Sequence, residues 1–246
     1  MQPRERYDDL GEVIRTAVDR GISRVWTSLP VRVIEDSDGF TVKLQPLIQG
    51  KRTDRNGQQS DVTMPPLGKV PVCYAQGGGF VATHPIKAGD EGIAVFSARC
   101  IDAWWDRGGV QPQLDQRRHN LSDAMYVPGV RSKPRRLGGD SGDGRMRDGS
   151  QSTPPSTNSF VIRTESGQFY IELTDENVNI VAKTVTIIAS EKVRIESPLI
   201  EMTGNLRVDG EVTAKAGGSG RVTLSQHRHR NVQPGSGQSG EPQAGT

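Results

Sequence analysis

The chain has 246 residues, of which 33% are hydrophobic and only 5% aromatic, with 29 glycines and 15 prolines, a composition that favours short strands and turns over a helical core. Lys plus Arg number 31 against 29 Asp plus Glu, so no strong field draws the chain to nucleic acid or to a membrane surface. No apolar run approaches the ~20 residues of a spanning helix and no signal-peptide core opens the chain, so a soluble protein is expected, with any export not using a cleaved signal.

Residues 1–24 contain one amphipathic helix, expected over about residues 8–20. Leu10, Val13, Ile14, Ala17, Val18 and Ile22 recur at helical spacing, Asp9 and Glu12 form the start signal, and Gly21 is the expected C-cap. The apolar stripe needs cover from the following domain or from a neighbouring subunit.

From residue 25 to 106 the period becomes two. Val31 and Val33 alternate with polar residues, Asp38-Gly39 marks a hairpin, and Phe40, Val42 and Leu44 resume the alternation. A longer loop is expected from Gln49 to Asp61, and strands recur at Val70–Tyr74, Phe80–Thr83 and Ile93–Cys100. Five or six short strands in this span predict a small OB-like barrel. Such barrels often bind nucleic acid, but Phe40, Tyr74, Phe80 and Phe96 have few basic neighbours, so they are expected to pack the core and not to stack on bases. Cys73 and Cys100, the only cysteines, lack a C-x-x-C partner and are expected to be free buried thiols of a reducing compartment. Of the adjacent Trp104 and Trp105, one is expected to face inward and the other to cover a partner surface.

Residues 107–158 read as an irregular connector. Arg117 to Ala124 has no clear period, and Gly, Ser, Pro, Asp and Arg dominate from Pro128 onward. Gly139-Asp140-Ser141-Gly142 matches the nucleophile motif of trypsin-like proteases, with His84 and Asp102 upstream in the right order. The low-complexity setting and the lack of a second barrel make a polar linker the better reading, so no enzyme is expected.

Residues 159–224 are regular in a different way. Apolar doublets such as Phe160-x-Ile162, Val178-x-Ile180, Val193-x-Ile195 and Leu206-x-Val208 recur, with spacings of 7, 8, 7, 6 and 6 residues between Val178 and Val212. So narrow an apolar face cannot bury itself in one sheet and needs stacking to close a core. Asn-Gly or Asp-Gly corners are mostly missing, Asp209-Gly210 being the exception, which predicts a chain winding around an axis. Three chains around a threefold axis would enclose the doublets most simply.

Residues 225–246 follow, with His227 and His229 two positions apart. In an extended segment these imidazoles point the same way. Two nitrogens are too few to hold a structural metal, so symmetry would have to complete the site.

The run from His84 to Phe96, then Cys100 to Trp105 and Arg118 to Ala124, resembles the N-terminal domain of the central, membrane-piercing baseplate spikes of contractile-tailed phages, a Gp138-type OB domain. The repeat ending in His227-Arg228-His229 resembles the tip of the same spikes. The resemblance implies a mainly β homotrimer with an OB-fold collar and an intertwined triple-stranded β-helix narrowing to a pointed apex. There His227 and His229 of three chains, six imidazoles in all, would hold one structural iron ion in octahedral geometry. It also implies a baseplate hub protein as partner of the collar, transient contact with the host outer membrane, no nucleic acid, and a place at the virion tail tip after assembly in the host cytoplasm. The other reading is a trimeric receptor-binding or adhesive fibre recognising surface glycan; such a tip should carry exposed aromatics, and the 17 residues after His229 contain none.

Overall fold

A computed structural model of the chain describes residues 10–23, 25–138, 152–214, 217 and 221–225. It divides into two compact units, Met1–Val185 and Thr186–Thr246.

In the first unit, α1 spans Leu10–Ile22. Gly21 lies inside the helix and does not cap it, because Ser23 closes the end instead: its N–H donates to the Asp19 carbonyl (2.9 Å) and its hydroxyl to the Arg20 carbonyl (2.9 Å). Glu12 in the first turn and Arg20 in the last complement the helix dipole. No residue of α1 is buried.

The barrel follows. In β1 (Ser28–Glu35) Leu29, Val31 and Val33 are buried and their neighbours exposed, and β2 (Thr41–Pro46) alternates in the same way, as a half-buried strand should. Their turn is held by Asp38, whose Oδ1 accepts from the N–H groups of Phe40 (2.8 Å) and Thr41 (2.6 Å), while Gly39 takes φ +94°. The expected loop at 49–61 is instead a two-stranded ribbon, β3 (Gly50–Thr53) and β4 (Gln59–Val62), in antiparallel register. Asp54 Oδ1 ties its turn by accepting from the N–H groups of Asn56 and Gln58, each at 2.8 Å. Strand β5 (Leu67–Pro71) returns to the barrel, β6 (Ala75–Gly77) and β7 (Phe80–Ala82) form a second exposed ribbon, and β8 (Glu91–Phe96) is again inside. After the short helix α2 (Asp102–Arg107) comes β9 (Ala124–Pro128), beyond residue 106, where the sequence pattern stops.

The five barrel strands lie in the order β5-β2-β1-β8-β9, all antiparallel. The outer strands approach through a parallel bridge between Val72 and Tyr126, with the Cys73 N–H donating to the Tyr126 carbonyl at 2.8 Å. The result is a partly closed five-stranded barrel of the OB-like kind. Its core gathers Val31, Val33, Val42, Leu44, Val70, Ile86, Phe96 and Tyr126. Beside Tyr126, Gly92 is required: a Cβ there would lie 2.5 Å from Tyr126 Cε2 and 2.6 Å from the Val127 carbonyl oxygen.

Three antiparallel strands complete this unit: β10 (Phe160–Arg163), β11 (Tyr170–Leu173) and β12 (Val178–Val181). Here the chain folds back and forth instead of winding. Gly167 at φ +74° supplies the first corner. At the second, Thr174 Oγ1 accepts from the Asn177 N–H at 2.9 Å. Thus a glycine outside an Asn-Gly pair and a threonine side chain do the work expected of Asn-Gly.

In the second unit, β13 (Thr213–Ala214) and β14 (Val222–Thr223) pair antiparallel. Glu211 clamps the pair by accepting from Ser225, whose N–H lies 3.2 Å from Oε1.

Candidate functional site

Between Thr186 and Glu211 no described residue belongs to a strand or helix, and every one is exposed. The apolar doublets of the repeat, among them Val193 and Ile195, Ile200 and Met202, Leu206 and Val208, therefore stand in solvent, and the neighbouring Ile188 is 91% exposed. Each such side chain forgoes about 1.5–3 kcal/mol of burial. The backbone of the same residues makes no hydrogen bond to another described backbone group. Exposed doublets and backbone groups without backbone partners thus coincide on one 26-residue segment, where Ser197 Oγ alone is bonded to both the N–H and the carbonyl of Leu199. The polar positions between the doublets carry opposite charges two residues apart, Arg194 with Glu196 and Arg207 with Asp209.

Two carboxylate centres organise the barrel, and neither was legible as a pattern in the sequence. Asp123, fully buried, accepts at Oδ1 from the Ile101 N–H (2.9 Å) and from Arg117 Nη2 (2.9 Å), and at Oδ2 from Arg117 Nε (2.7 Å). The same guanidinium reaches Asp102 Oδ1 at 2.6 Å. Cys100, Asp102 and Asp123 offer ligand atoms within 4.8 Å of one another. The trio does not fit a metal, because Arg117 already fills the gap between the carboxylates as their cation. Its hydrogen bond holds the Asp102 carboxyl below the usual carboxylate range, and the two aspartates, Asp123 first, raise the Arg117 pKa. The segment without sequence period, 117–124, is thus anchored by a bidentate ion pair.

Glu91 is the second centre. Its side chain is 4% exposed, directly across from Arg32 in the β1–β8 register, with Arg32 Nη2 at 3.1 Å from Oε1. The Ser132 N–H donates to Oε2 at 2.7 Å, and Arg135 Nε lies 3.7 Å from Oε1. Burial pushes this carboxyl up, but the hydrogen bonds from Ser132 and Arg32 and the charge of Arg135 outweigh it, leaving the pKa lowered. Tyr126, whose hydroxyl donates to the Glu91 carbonyl at 3.2 Å, is pushed up to about 12 by burial and by Asp90 and Glu91.

The residues singled out from sequence fall as follows. His227 and His229 lie outside the described residues, as does Gly139-Asp140-Ser141-Gly142. His84 stands edge-on to the Tyr74 ring, with centroids 5.7 Å apart, and Asp102 is committed to Arg117. Neither Trp104 nor Trp105 is buried: at 47% and 46% exposure they tilt against each other while Ala103 alone fills the core side of α2. Both cysteines are free but not buried, Cys73 being exposed and Cys100 intermediate. Phe96 is in the core and Tyr74 packs against it, whereas Phe40 and Phe80 are 76% and 83% exposed. Phe40 stands on a hairpin tip and Phe80 on a ribbon, places where no second layer covers a side chain. Among the described residues, no helix is long and apolar enough to cross a membrane.

Residues 29–129 match the family model of the phage protein Gp138 N-terminal domain, a stretch that begins in β1 and ends one residue past β9. The barrel is therefore similar to a phage-protein domain, and the match supports a structural component of a phage. Among curated proteins, none matches the chain.

Proposed function

We propose that the chain is the cell-puncturing spike of a contractile phage tail. Three copies pair along residues 186–211 as a triple-stranded β-helix that follows the meander of each chain, and the barrels form a collar on a baseplate hub protein. The observation that carries this reading is the exposed, doublet-bearing segment 186–211, whose backbone has no backbone partner and whose apolar side chains partner strands would cover. Three identical chains supply them by cyclic symmetry. The phage-domain match at residues 29–129 supports the setting.

At the end of the repeat, His227 and His229 of each chain would hold one iron ion. Six neutral imidazoles suit an octahedral first-row metal and do not suit tetrahedral zinc. With every position filled, the ion would pin three chain ends and leave no place for a substrate. The work of such a protein is mechanical: sheath contraction drives a rigid apex through the host outer membrane.

Light scattering on the purified full chain tests the assembly. A mass three times the 26.7 kDa of one chain is expected, and a persistent monomer would overturn the proposal. Elemental analysis should find about one iron per three chains. A glycan array separates spike from fibre, since specific glycan capture would favour a receptor-binding fibre.

A further inference from the structure

The chain leaves the barrel at Pro128 and runs through residues 129–138 before the meander β10–β12 begins. None of these ten residues is buried, so apolar packing does not hold them down. A cavity of about 550 Å3 separates this strap from the barrel, lined among others by His84, Lys87, Glu91, Arg131 and Arg135. What fastens the strap is polar. At the barrel, Glu91 takes the Ser132 N–H at 2.7 Å and faces Arg135 at 3.7 Å. At the meander, Arg131 Nη1 lies 2.6 Å from Oε1 of Glu165, in the corner between β10 and β11. Beyond it, the Gly138 N–H donates to Ser152 Oγ at 2.8 Å, and Thr153 accepts at its carbonyl from Arg163 Nη2 at 2.7 Å.

We propose that residues 129–138 form an ion-pair latch between barrel and meander, with Glu91 as its fastener on one side and Glu165 on the other. Glu91 is suited to this because it is buried on a central strand and prepaid by Arg32 across the sheet, so it is a fixed acceptor wherever the strap happens to be. The strap itself has no buried residue and is held to the barrel by reaching that acceptor. If the chain is a spike, the latch would fix the first strands of the shaft to the collar; the latch does not depend on that reading, nor on assembly.

Limited trypsin digestion of the full chain tests it, because proteolysis follows the population of the opened segment. Arg131, Arg135 and Arg136 lie in the strap, whereas Lys133 is shielded from cleavage by Pro134; Lys51, Arg52 and Arg55 in the exposed β3–β4 ribbon are internal controls. Glu91→Gln is expected to speed cleavage after Arg135 and Arg136 by about tenfold and leave the ribbon sites unchanged. Glu165→Gln, at a partly exposed position that cannot unfold the barrel, should speed the same strap sites by a few-fold. Unchanged strap cleavage in both variants would overturn the latch, and so would equal acceleration at the ribbon sites, which would mark general unfolding.

Discussion

The Arg117 guanidinium grips Asp123 at both oxygens, Nε to Oδ2 at 2.7 Å and Nη2 to Oδ1 at 2.9 Å, with the carboxylate fully buried. Asp123 also receives the Ile101 N–H, so one side chain joins the start of α2 to the approach of β9. Removing one partner of such a pair leaves a buried charge alone. Arg117→Ala should therefore cost about 3–5 kcal/mol in urea unfolding. Asp102→Ala, which removes only the exposed half of the cluster, should cost less than about 1 kcal/mol.

Gly92 makes the second prediction. With backbone oxygen 2.6 Å from the position of a Cβ, Gly92→Ala cannot be relieved by a rotamer change. A loss of about 2–3 kcal/mol is expected by denaturant titration, against about 1 kcal/mol for Gly39→Ala, where φ is positive but space is open.

The third concerns pH. The Glu91 pKa is lowered in the folded protein, so the stability it contributes is present above the ordinary glutamate value of 4.5 and is lost as pH falls through the lower folded value. Unfolding free energy measured from pH 6 to about pH 3 should fall more steeply in the natural sequence than in Glu91→Gln, and the two curves should converge at the acid end.

The fourth addresses the repeat. Ile195→Asp places a charge where the proposed trimer buries an apolar doublet. Light scattering should show a monomer, while the barrel's own unfolding free energy changes by less than about 0.5 kcal/mol, because Ile195 is exposed and is not one of the barrel's core residues. His227→Ala with His229→Ala should instead leave a trimer that has lost its iron.

How much of this was legible depended on whether a feature is local. The alternation in β1 and β2, the Asp38-Gly39 turn and the helical stripe of α1 could be read because each is written within a few consecutive residues. The ribbon at 50–62 was hidden because its strands are largely polar and have no buried residue, and so lack the period that burial imprints. Strand β9 was hidden because only Ala124 and Tyr126 of its five residues are deeply buried, after a stretch fixed by Arg117 and not by hydrophobic pattern. The corners of the meander, built on Gly167 and on the Thr174 side chain, offered no Asn-Gly pair to read. Phe40 and Phe80 were assigned to the core by residue type, and position at a hairpin tip and on a ribbon overruled that.

The sequence alone set residues 159–224 apart as a repeat of apolar doublets, because two apolar residues per short strand give a narrow face that leaves a periodic mark. It also carried the barrel, through period-two strands, and the likeness to a phage-protein domain, through the motifs between His84 and Ala124. Only the tertiary structure decided that Glu91 meets Ser132 and Arg32, that Asp123 meets Arg117, and that Glu165 meets Arg131. Hydrophobic burial leaves a periodic trace along the chain, but an ion pair between residues distant in sequence leaves none, since either charge by itself reads as an ordinary solvated side chain.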